Sequence, residues 1–156
     1  MKGDVLRLEE FLPYRLNRLT DAVSRDFSKI YRDRFGLTRP EWRALAALGQ
    51  YGTMTATAIG GHSSMHKTKV SRAVAALEKR KWVVRETDGD DRRIEHLTLT
   101  AAGEKAYREI VPLAHAFAAR LAGVMGAARW AEFDYGLERL EAFFLEDNEK
   151  GPGGRA

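Results

Sequence analysis

The amino-acid sequence predicts a mainly α-helical protein with a small β-ribbon, which is an α+β fold. Two observations support this fold class. Apolar residues recur at three- and four-residue steps over long stretches near both ends of the chain, as they do on one side of an amphipathic helix. Between these stretches, the short segments 82–86 and 94–99 are predicted as strands because they flank a loop whose Asp88-Gly89 pair favours a tight turn.

The composition is that of a folded globular protein. The chain has 156 residues, of which 44% are hydrophobic and 31% are charged, and a chain of this length can bury a real core. Cysteine is absent, which excludes disulfides and thiolate metal sites. No stretch approaches the ~18 apolar residues that would span a bilayer, and the start of the chain has no apolar signal core, so we expect a cytoplasmic protein.

Three helices are predicted in the first 61 residues of the chain. The first covers about residues 13–35. Its apolar stripe consists of Leu16, Leu19, Val23, Phe27 and Ile30. The second begins with Thr38 or Arg39 near its cap and Pro40 at its first position. A small helix over residues 56–61 follows it.

A basic helix is predicted over residues 65–81. The 100° step per residue of an α-helix separates its side chains into two faces. The residues predicted to be buried are Val70, Ala73, Val74 and Leu77. Thr68 and Arg72 lie almost opposite Val70, so the basic helix has one face for a core and another for a partner.

Two more long helices are predicted after the ribbon, the last over about residues 127–148. Both carry apolar stripes, as the first helix of the chain does. The outer helices must bury these stripes against something, and a second copy of the chain is the economical choice. We therefore expect a homodimer.

Charge is distributed unevenly along the chain, although the formal net charge is only +4. Residues 66–85 include seven Lys or Arg and one Glu, which leaves +6 by subtraction. Residues 130–149 include seven Asp or Glu and one Arg, which leaves −6. One part of the chain therefore attracts a polyanion such as a nucleic acid, and another part repels it.

The basic helix, the preceding turn and the following ribbon together predict a winged helix-turn-helix that binds duplex DNA. A helix fits the major groove, and a ribbon with arginine at its tip can reach the adjacent minor groove. Asp91 can fix an arginine by hydrogen bonding while Arg93 projects into that groove. The predicted DNA-binding residues are His66, Lys67, Thr68, Lys69, Ser71, Arg72, Asp91, Arg92 and Arg93. The simpler alternatives are a solvated basic face and an ordinary hairpin turn.

Three segments, in this order, resemble the MarR family of multiple-antibiotic-resistance-type regulators. They are 69–83, Asp91-Arg92-Arg93 and 97–103, and the flanking helices fit the family from about residue 10 to 148. The resemblance implies an obligate dimer built by the first and last helices. It also implies binding to a palindromic promoter site, usually as a repressor that a small, often aromatic or phenolic, ligand releases.

The expected organisation has three parts. Residues 1–36 and 103–149 form a helical dimerisation region, residues 37–102 form the winged helix-turn-helix lobe that binds DNA, and residues 150–156 form a flexible tail. Two positions depart from the family pattern. Ile59-Gly60 stands where Leu-Ala is frequent, and His66 stands where a stronger helix cap such as Ser, Thr or Asp is usual. These departures leave the start of the basic helix open.

The resemblance also implies a ligand cleft between the dimer helices and the DNA-binding lobe. The candidates to line it are Tyr14, Arg15, Trp42 and His115, which offer a cation and aromatic faces to an aromatic acid. Each has a structural alternative, as a packing residue or as a polar residue on a helix flank. The four histidines raise a metal-sensing alternative, but without cysteine or a dense His/Asp cluster we expect no metal and no cofactor.

An enzyme is not predicted. The sequence has no Gly-rich phosphate loop after a strand and no nucleophile elbow, and the carboxylate pair Asp90-Asp91 falls in a hairpin tip without a pocket. No catalytic residue is therefore assigned, and no membrane partner is expected. The functional alternative that survives is a winged-helix protein–protein interaction module without ligand sensing.

Overall fold

The computed structural model describes residues 5–146 and confirms the mainly α-helical fold with a small antiparallel ribbon. In chain order the elements are α1 (Leu12–Phe35), α2 (Arg39–Tyr51), α3 (Ala56–Ser63), α4 (Lys67–Lys79), β1 (Val83–Thr87), β2 (Glu95–Leu99), α5 (Ala101–Met125) and α6 (Ala127–Glu141). A π-helical turn, Ala142–Glu146, follows α6. The chain divides into two compact units between Ala114 and His115, and α5 contributes to both.

The predicted basic helix is shorter at both ends than the sequence pattern indicated. His66 has extended backbone and precedes the first residue of α4, and its side chain makes no capping hydrogen bond. At the other end, Lys81 adopts a left-handed conformation with φ of 62°, which turns the chain out of the helix before β1. The last predicted helix ends earlier too, because α6 stops at Glu141 and gives way to the π-helical turn. Residues 147–156, including the predicted tail, lie outside the described residues.

Side-chain caps fix the starts of α2 and α3. Thr38 is the cap of α2: its hydroxyl accepts from the backbone N–H of Glu41, whose carboxylate accepts from the N–H of Thr38. This reciprocal pair satisfies two N–H groups that the helix itself cannot satisfy. Thr55 caps α3 in the simpler way, accepting from the N–H of Ala58 at 3.1 Å. These caps place the two helices that support α4.

The core of the first unit lies beneath α4. The four residues predicted as its buried face, Val70, Ala73, Val74 and Leu77, are each at most 2% exposed. They belong to one apolar cluster with Leu45 and Leu48 of α2 and Ile59 of α3. Because this face is fully occupied, the orientation of α4 about its own axis is fixed, and the opposite face must point to solvent.

The ribbon is joined to the rest of the lobe along β2 and at its base, where β1 begins and β2 ends. Met54, just before α3, exchanges backbone hydrogen bonds with Leu97 of β2, at 3.0 and 2.8 Å. At the start of α5, the Thr100 hydroxyl donates to the Lys81 carbonyl at 2.7 Å. Gly103 lies so close to the turn that an added Cβ would stand 2.1 Å from the Trp82 carbonyl oxygen. The two β-strands are therefore part of the lobe and not a free hairpin.

Large apolar side chains remain exposed in both units. In the first unit most of them lie at and before the first half of α1, and the others lie at the end of α2 and on the ribbon and the loop between its strands: Val5, Leu6, Leu8, Phe11, Leu12 and Leu19, then Tyr51, Val84 and Ile94. In the second unit they are Val124, Met125, Tyr135, Leu140, Phe143, Phe144 and Leu145. No residue of α6 is buried. Within the described part of the chain, no single helix is long and apolar enough to cross a membrane. Only α5 and the helical segment that follows it, taken together, have the length and composition for a span.

Candidate nucleic-acid interface

The face of α4 opposite the core is polar, basic and open to solvent. Lys67, Thr68, Lys69, Ser71 and Arg72 are all exposed, as is His66 before them. Between them lie small side chains such as Ala75, which is exposed as well. A face with long cations, short hydroxyls and alanines permits close approach to a flat or grooved partner. The α-helical period alone was sufficient to predict this face.

Two arginines of the predicted basic segment, Arg80 and Arg85, are bound by acceptors of the protein itself. Arg80 donates to the carbonyl of Phe35 at 2.8 Å and to that of Gly36, where α1 ends, and its guanidinium lies 5.2 Å from the centre of the Trp82 ring. A cation at a helix C-terminus is favourable because the last carbonyls carry partial negative charge. Arg80 therefore joins the end of α4 to the end of α1.

Arg85 is neutralised by two carboxylates. It binds Glu78 of α4 through two hydrogen bonds of 3.0 Å and also binds Glu95 on the paired strand. The hydrogen bond from Arg85 lowers the pKa of Glu78, and the two carboxylates raise the pKa of Arg85. The positive charge counted over residues 66–85 is thus concentrated on the exposed cations of α4.

In the loop between the strands, hereafter the wing loop, Asp91 holds Arg93. The Arg93 Nε and Nη2 atoms donate to the two oxygens of Asp91 at 3.0 and 3.1 Å, and the backbone N–H of Arg93 donates to Asp91 as well. This pairing lowers the pKa of Asp91 and raises that of Arg93. The Arg93 side chain is nevertheless 90% exposed. The predicted hydrogen bond between Asp91 and an arginine is present, with Arg93 as the donor, while Arg92 is also exposed.

Asp88 organises the wing loop, a role that the sequence analysis missed. Its Oδ1 accepts from the backbone N–H groups of Asp90 and Asp91 at 2.9 and 3.0 Å, and its Oδ2 lies 2.8 Å from Nε2 of His96 on β2. The bond to His96, followed by the two backbone bonds, lowers the pKa of Asp88 to about 2. The sequence did contain a signal for this role. Asp88 stands two residues before Asp90 in a turn, and an Asp side chain in a turn commonly accepts a hydrogen bond from the backbone N–H two residues on.

The exposed helix face and the wing arginine meet on one groove. This groove, about 1060 Å³ in volume, runs between α3, α4 and the ribbon, and Lys67, Ser71 and Arg93 all line it. Gly60 and Gly61 of α3 line it too, which keeps that side low. Residues from two separate parts of the sequence therefore border the same space.

Among the predicted ligand residues of the first unit, Tyr14 and Trp42 lie apart from each other. Trp42 packs edge-on against Phe27, with ring centres 5.5 Å apart, and stacks on Tyr31 at 5.9 Å. Tyr14 lies thirteen residues before Phe27 on α1, a distance of about 20 Å along a helix that rises 1.5 Å per residue. Arg15 is exposed next to Tyr14, and His115 is exposed in the second unit. The observed contacts of Trp42 are therefore those of a packing residue, which was the structural alternative to its role as a ligand residue.

Histidine and carboxylate side chains are dispersed in the part of the chain that the structure describes. No group of three or more such residues there could hold a metal ion. The close pair is Asp88 with His96, and Asp88 is already occupied by two backbone N–H groups.

An exposed recognition-type helix, a short helix before it and a β-ribbon after it define the winged helix-turn-helix class. Residues 35–94 match the sequence model of the MarR family, a range that contains α2 to α4 and the wing loop. A solved MarR-family transcriptional regulator from Silicibacter pomeroyi is 27% identical, with a TM-score of 0.76 over 93% of this chain and 97% of that one. The segment from α2 to the wing loop is therefore similar to the MarR family of regulators.

Two other proteins are similar to this chain, one in sequence and one in fold. The HTH-type transcriptional regulator YwoH of Bacillus subtilis is 36% identical over 76 residues, which are 49% of this chain and 55% of YwoH, so the chain spans about half the length of that curated relative. BpsR of Bordetella bronchiseptica, whose DNA binding is regulated by 6-hydroxynicotinic acid, is similar in fold, with a TM-score of 0.78 over 88% of this chain and 98% of BpsR at 22% identity.

Proposed function

We propose that this protein is a sequence-specific DNA-binding regulator of transcription that acts in the cytoplasm. The observation that carries the proposal is the groove on which Lys67 and Ser71 of α4 and Arg93 of the wing loop converge. On this face Arg72 and Thr68 are assigned to base edges in the major groove. His66, Lys67, Lys69 and Ser71 are assigned to phosphates, which position the protein without reading sequence.

Arg93 is assigned to the minor groove. Asp91 holds its guanidinium through two hydrogen bonds while the side chain stays 90% exposed, so little side-chain freedom remains to be lost on binding. A narrow A·T-rich minor groove attracts an inserted arginine by its negative potential. Arg92, exposed beside it, is assigned to the flanking backbone.

A homodimer on a palindromic site is the second part of the proposal. Its support is the set of large apolar side chains that stay exposed in each unit, among them Leu12 and Leu19 in α1 and Phe143 and Phe144 after α6. Monomeric proteins rarely leave such patches open. A two-fold axis through these helices would present two copies of α4 to successive turns of the major groove.

The third part is repression that a small aromatic or phenolic ligand releases. It is supported by the similarity of residues 35–94 to the MarR family and by the aromatic cluster of Phe27, Tyr31 and Trp42. The likeness to BpsR is one of fold, so the ligand of BpsR suggests a chemical class to test and nothing finer. Tyr14, Arg15, Trp42 and His115 remain the proposed ligand residues.

The test of DNA binding is a selection of duplexes from a random pool, followed by fluorescence anisotropy from about 50 to 200 mM salt. We expect an enriched inverted repeat, two chains per duplex, and an affinity that falls at least ~10³-fold over this range if six or more phosphates are contacted. If no duplex is bound at low salt, the DNA-binding proposal is rejected and the protein–protein module becomes the better account.

The test of ligand sensing is a thermal-shift screen of aromatic acids and their thioesters. A ligand of the native state should raise Tm and change the affinity for the selected duplex. Trp42→Phe should reduce the shift, whereas Trp130→Phe in the second unit is the matched control. A screen in which no aromatic acid changes either quantity contradicts this part and leaves the DNA-binding part standing.

A further inference from the structure

A small basic recess lies between the first turn of α2 and the start of α4. Arg39 and Arg43 of α2 and His66 and Lys69 around the start of α4 line it, and its volume is about 90 Å³. The recess is built from ordered backbone, because Met65 donates its N–H to the Gly60 carbonyl at 3.0 Å and Arg43 donates to the Ser63 carbonyl at 3.3 Å. We call these four side chains and the space between them the α2–α4 recess.

The α2–α4 recess is lined by positive charge without a carboxylate. Within residues 5–146, no ion pair forms to Arg39, Arg43 or Lys69. In contrast, Arg85 and Arg93 are each held by carboxylates. Cations that converge on one space without a counter-ion raise the local potential and attract an anion.

The size of the recess restricts the anion that it can hold. Pockets for drug-sized ligands measure about 300–1,000 Å³, several times more than this one. A tetrahedral oxyanion such as a phosphate group is small enough. It also matches the donors, because a guanidinium offers two parallel N–H groups and a lysine offers a compact charge.

We propose that the α2–α4 recess binds one phosphate of the DNA backbone, with Arg39 and Arg43 as contact residues beside Lys69. This inference rests on the proposed DNA-binding function and adds a contact from α2, outside the helix-turn-helix and the wing. Lys69 belongs to the exposed face of α4, so a phosphate in the recess borders the major groove that α4 enters. The contact sets the register of α4 on the duplex and carries no base preference.

The experiment measures the binding constant of Arg39→Gln for the selected duplex as a function of salt. Each lost phosphate contact should reduce the slope of log K against log salt by about 0.9. The affinity should fall by a similar factor for the selected duplex and for a duplex with changed bases. Arg39→Lys, which keeps the charge, should retain most of the slope. Circular dichroism and a thermal melt verify that each variant is folded.

The matched control is Arg108→Gln, which removes the same charge from an exposed residue of α5. It should leave the slope unchanged. If Arg39→Gln also leaves the slope unchanged while the wild-type protein binds, the recess does not hold a phosphate and the proposed function survives. If Arg39→Gln alters base preference instead, the contact is to a base and the inference is wrong. If the wild-type protein binds no duplex, both proposals are rejected together.

Discussion

Arg80 and Arg85 are occupied by acceptors of their own unit, whereas Arg72 is exposed on α4. Arg80 binds two carbonyls at the end of α1, and Arg85 binds Glu78 and Glu95. Substitution of Arg80 or Arg85 should therefore mainly lower the free energy of unfolding. Arg93 combines a carboxylate partner with high exposure, so its role depends on the geometry that Asp91 imposes. Residues of one chemical type thus differ in function according to their neighbours.

Arg72→Ala should weaken binding to the selected duplex by about 1–3 kcal/mol and relax the preference at one base pair of each half-site. The physical reason is that an arginine in the major groove can bind both acceptors of a guanine edge. The measurement is anisotropy with the selected duplex and with duplexes changed at single positions. Arg108→Ala serves as the control, and an undiminished discrimination in Arg72→Ala would reject its base-reading role.

Asp88→Asn should weaken DNA binding through Arg93, although Asp88 itself faces the interior of the wing loop. The substitution removes the charged acceptor that His96 and the two backbone N–H groups share, so the position of Asp91 is loosened. We expect a loss of affinity in the wild-type background and little further loss in Arg93→Ala. Additive losses in this double-mutant cycle would mean that Asp88 acts independently of Arg93.

The wing loop should keep its order down to low pH. The pKa of Asp88 is lowered from its ordinary 3.8 to about 2 in the folded protein. A lowered folded pKa means that Asp88 contributes stability above about pH 4, and that this contribution is lost as the pH falls from about 4 towards 2. The NMR signal of the Arg93 Nε–H, followed over this range, should report the loss. A transition already complete at pH 5 would disagree with the observed hydrogen bonds.

At the scale of elements, the join between the ribbon and α5 depends on one glycine. Gly103→Ala should destabilise the protein by about 1–3 kcal/mol, because the added methyl would stand 2.1 Å from a backbone carbonyl that cannot move aside easily. Gly123→Ala in the same helix meets nothing within 4 Å and should be neutral or slightly stabilising. Urea unfolding of both variants measures the difference. Equal midpoints would show that the join is not tight in solution.

The elements also differ in how far sequence patterns could place them. The body and the buried face of α4 were predicted, because a helix of this length repeats its apolar residues with a period that belongs to the helix itself. Its ends were not, because they depend on the left-handed Lys81 and on an extended His66 that makes no side-chain cap. The bridge from Met54 to Leu97 joins residues 43 positions apart, and no local pattern indicates it.

At the scale of the whole molecule, the exposed apolar side chains call for a partner surface. Leu19 belongs to the predicted stripe of α1, yet it is 52% exposed in one chain. If the proposed homodimer uses this surface, Leu19→Glu should shift the protein to a monomer, because a charge in an apolar interface is costly to desolvate. Light scattering coupled to gel filtration measures the mass. Val84→Glu, at an apolar residue of the ribbon that is 44% exposed, should leave the proposed dimer intact.

If Leu19→Glu remains a dimer at the concentrations where the wild type is one, the first half of α1 is not part of the interface. The DNA affinity of the same variants gives a second readout. A protein that contacts two half-sites gains affinity from their linkage, so a monomer should bind the inverted repeat much more weakly than the dimer does.

By itself the sequence determined the fold class, the basic face of α4 and the resemblance to the MarR family, because helical period, local turn residues and motif order are properties of short segments. Only the tertiary structure decided which cations are available to a partner. Arg80 and Arg85 are occupied by acceptors of the protein itself, so they are not available to a partner. Asp91 fixes the geometry of Arg93, and Arg39 and Lys69 line the same recess. The physical reason is that hydrogen bonds and ion pairs between distant residues depend on how the elements pack, which is not written in the spacing of any one segment.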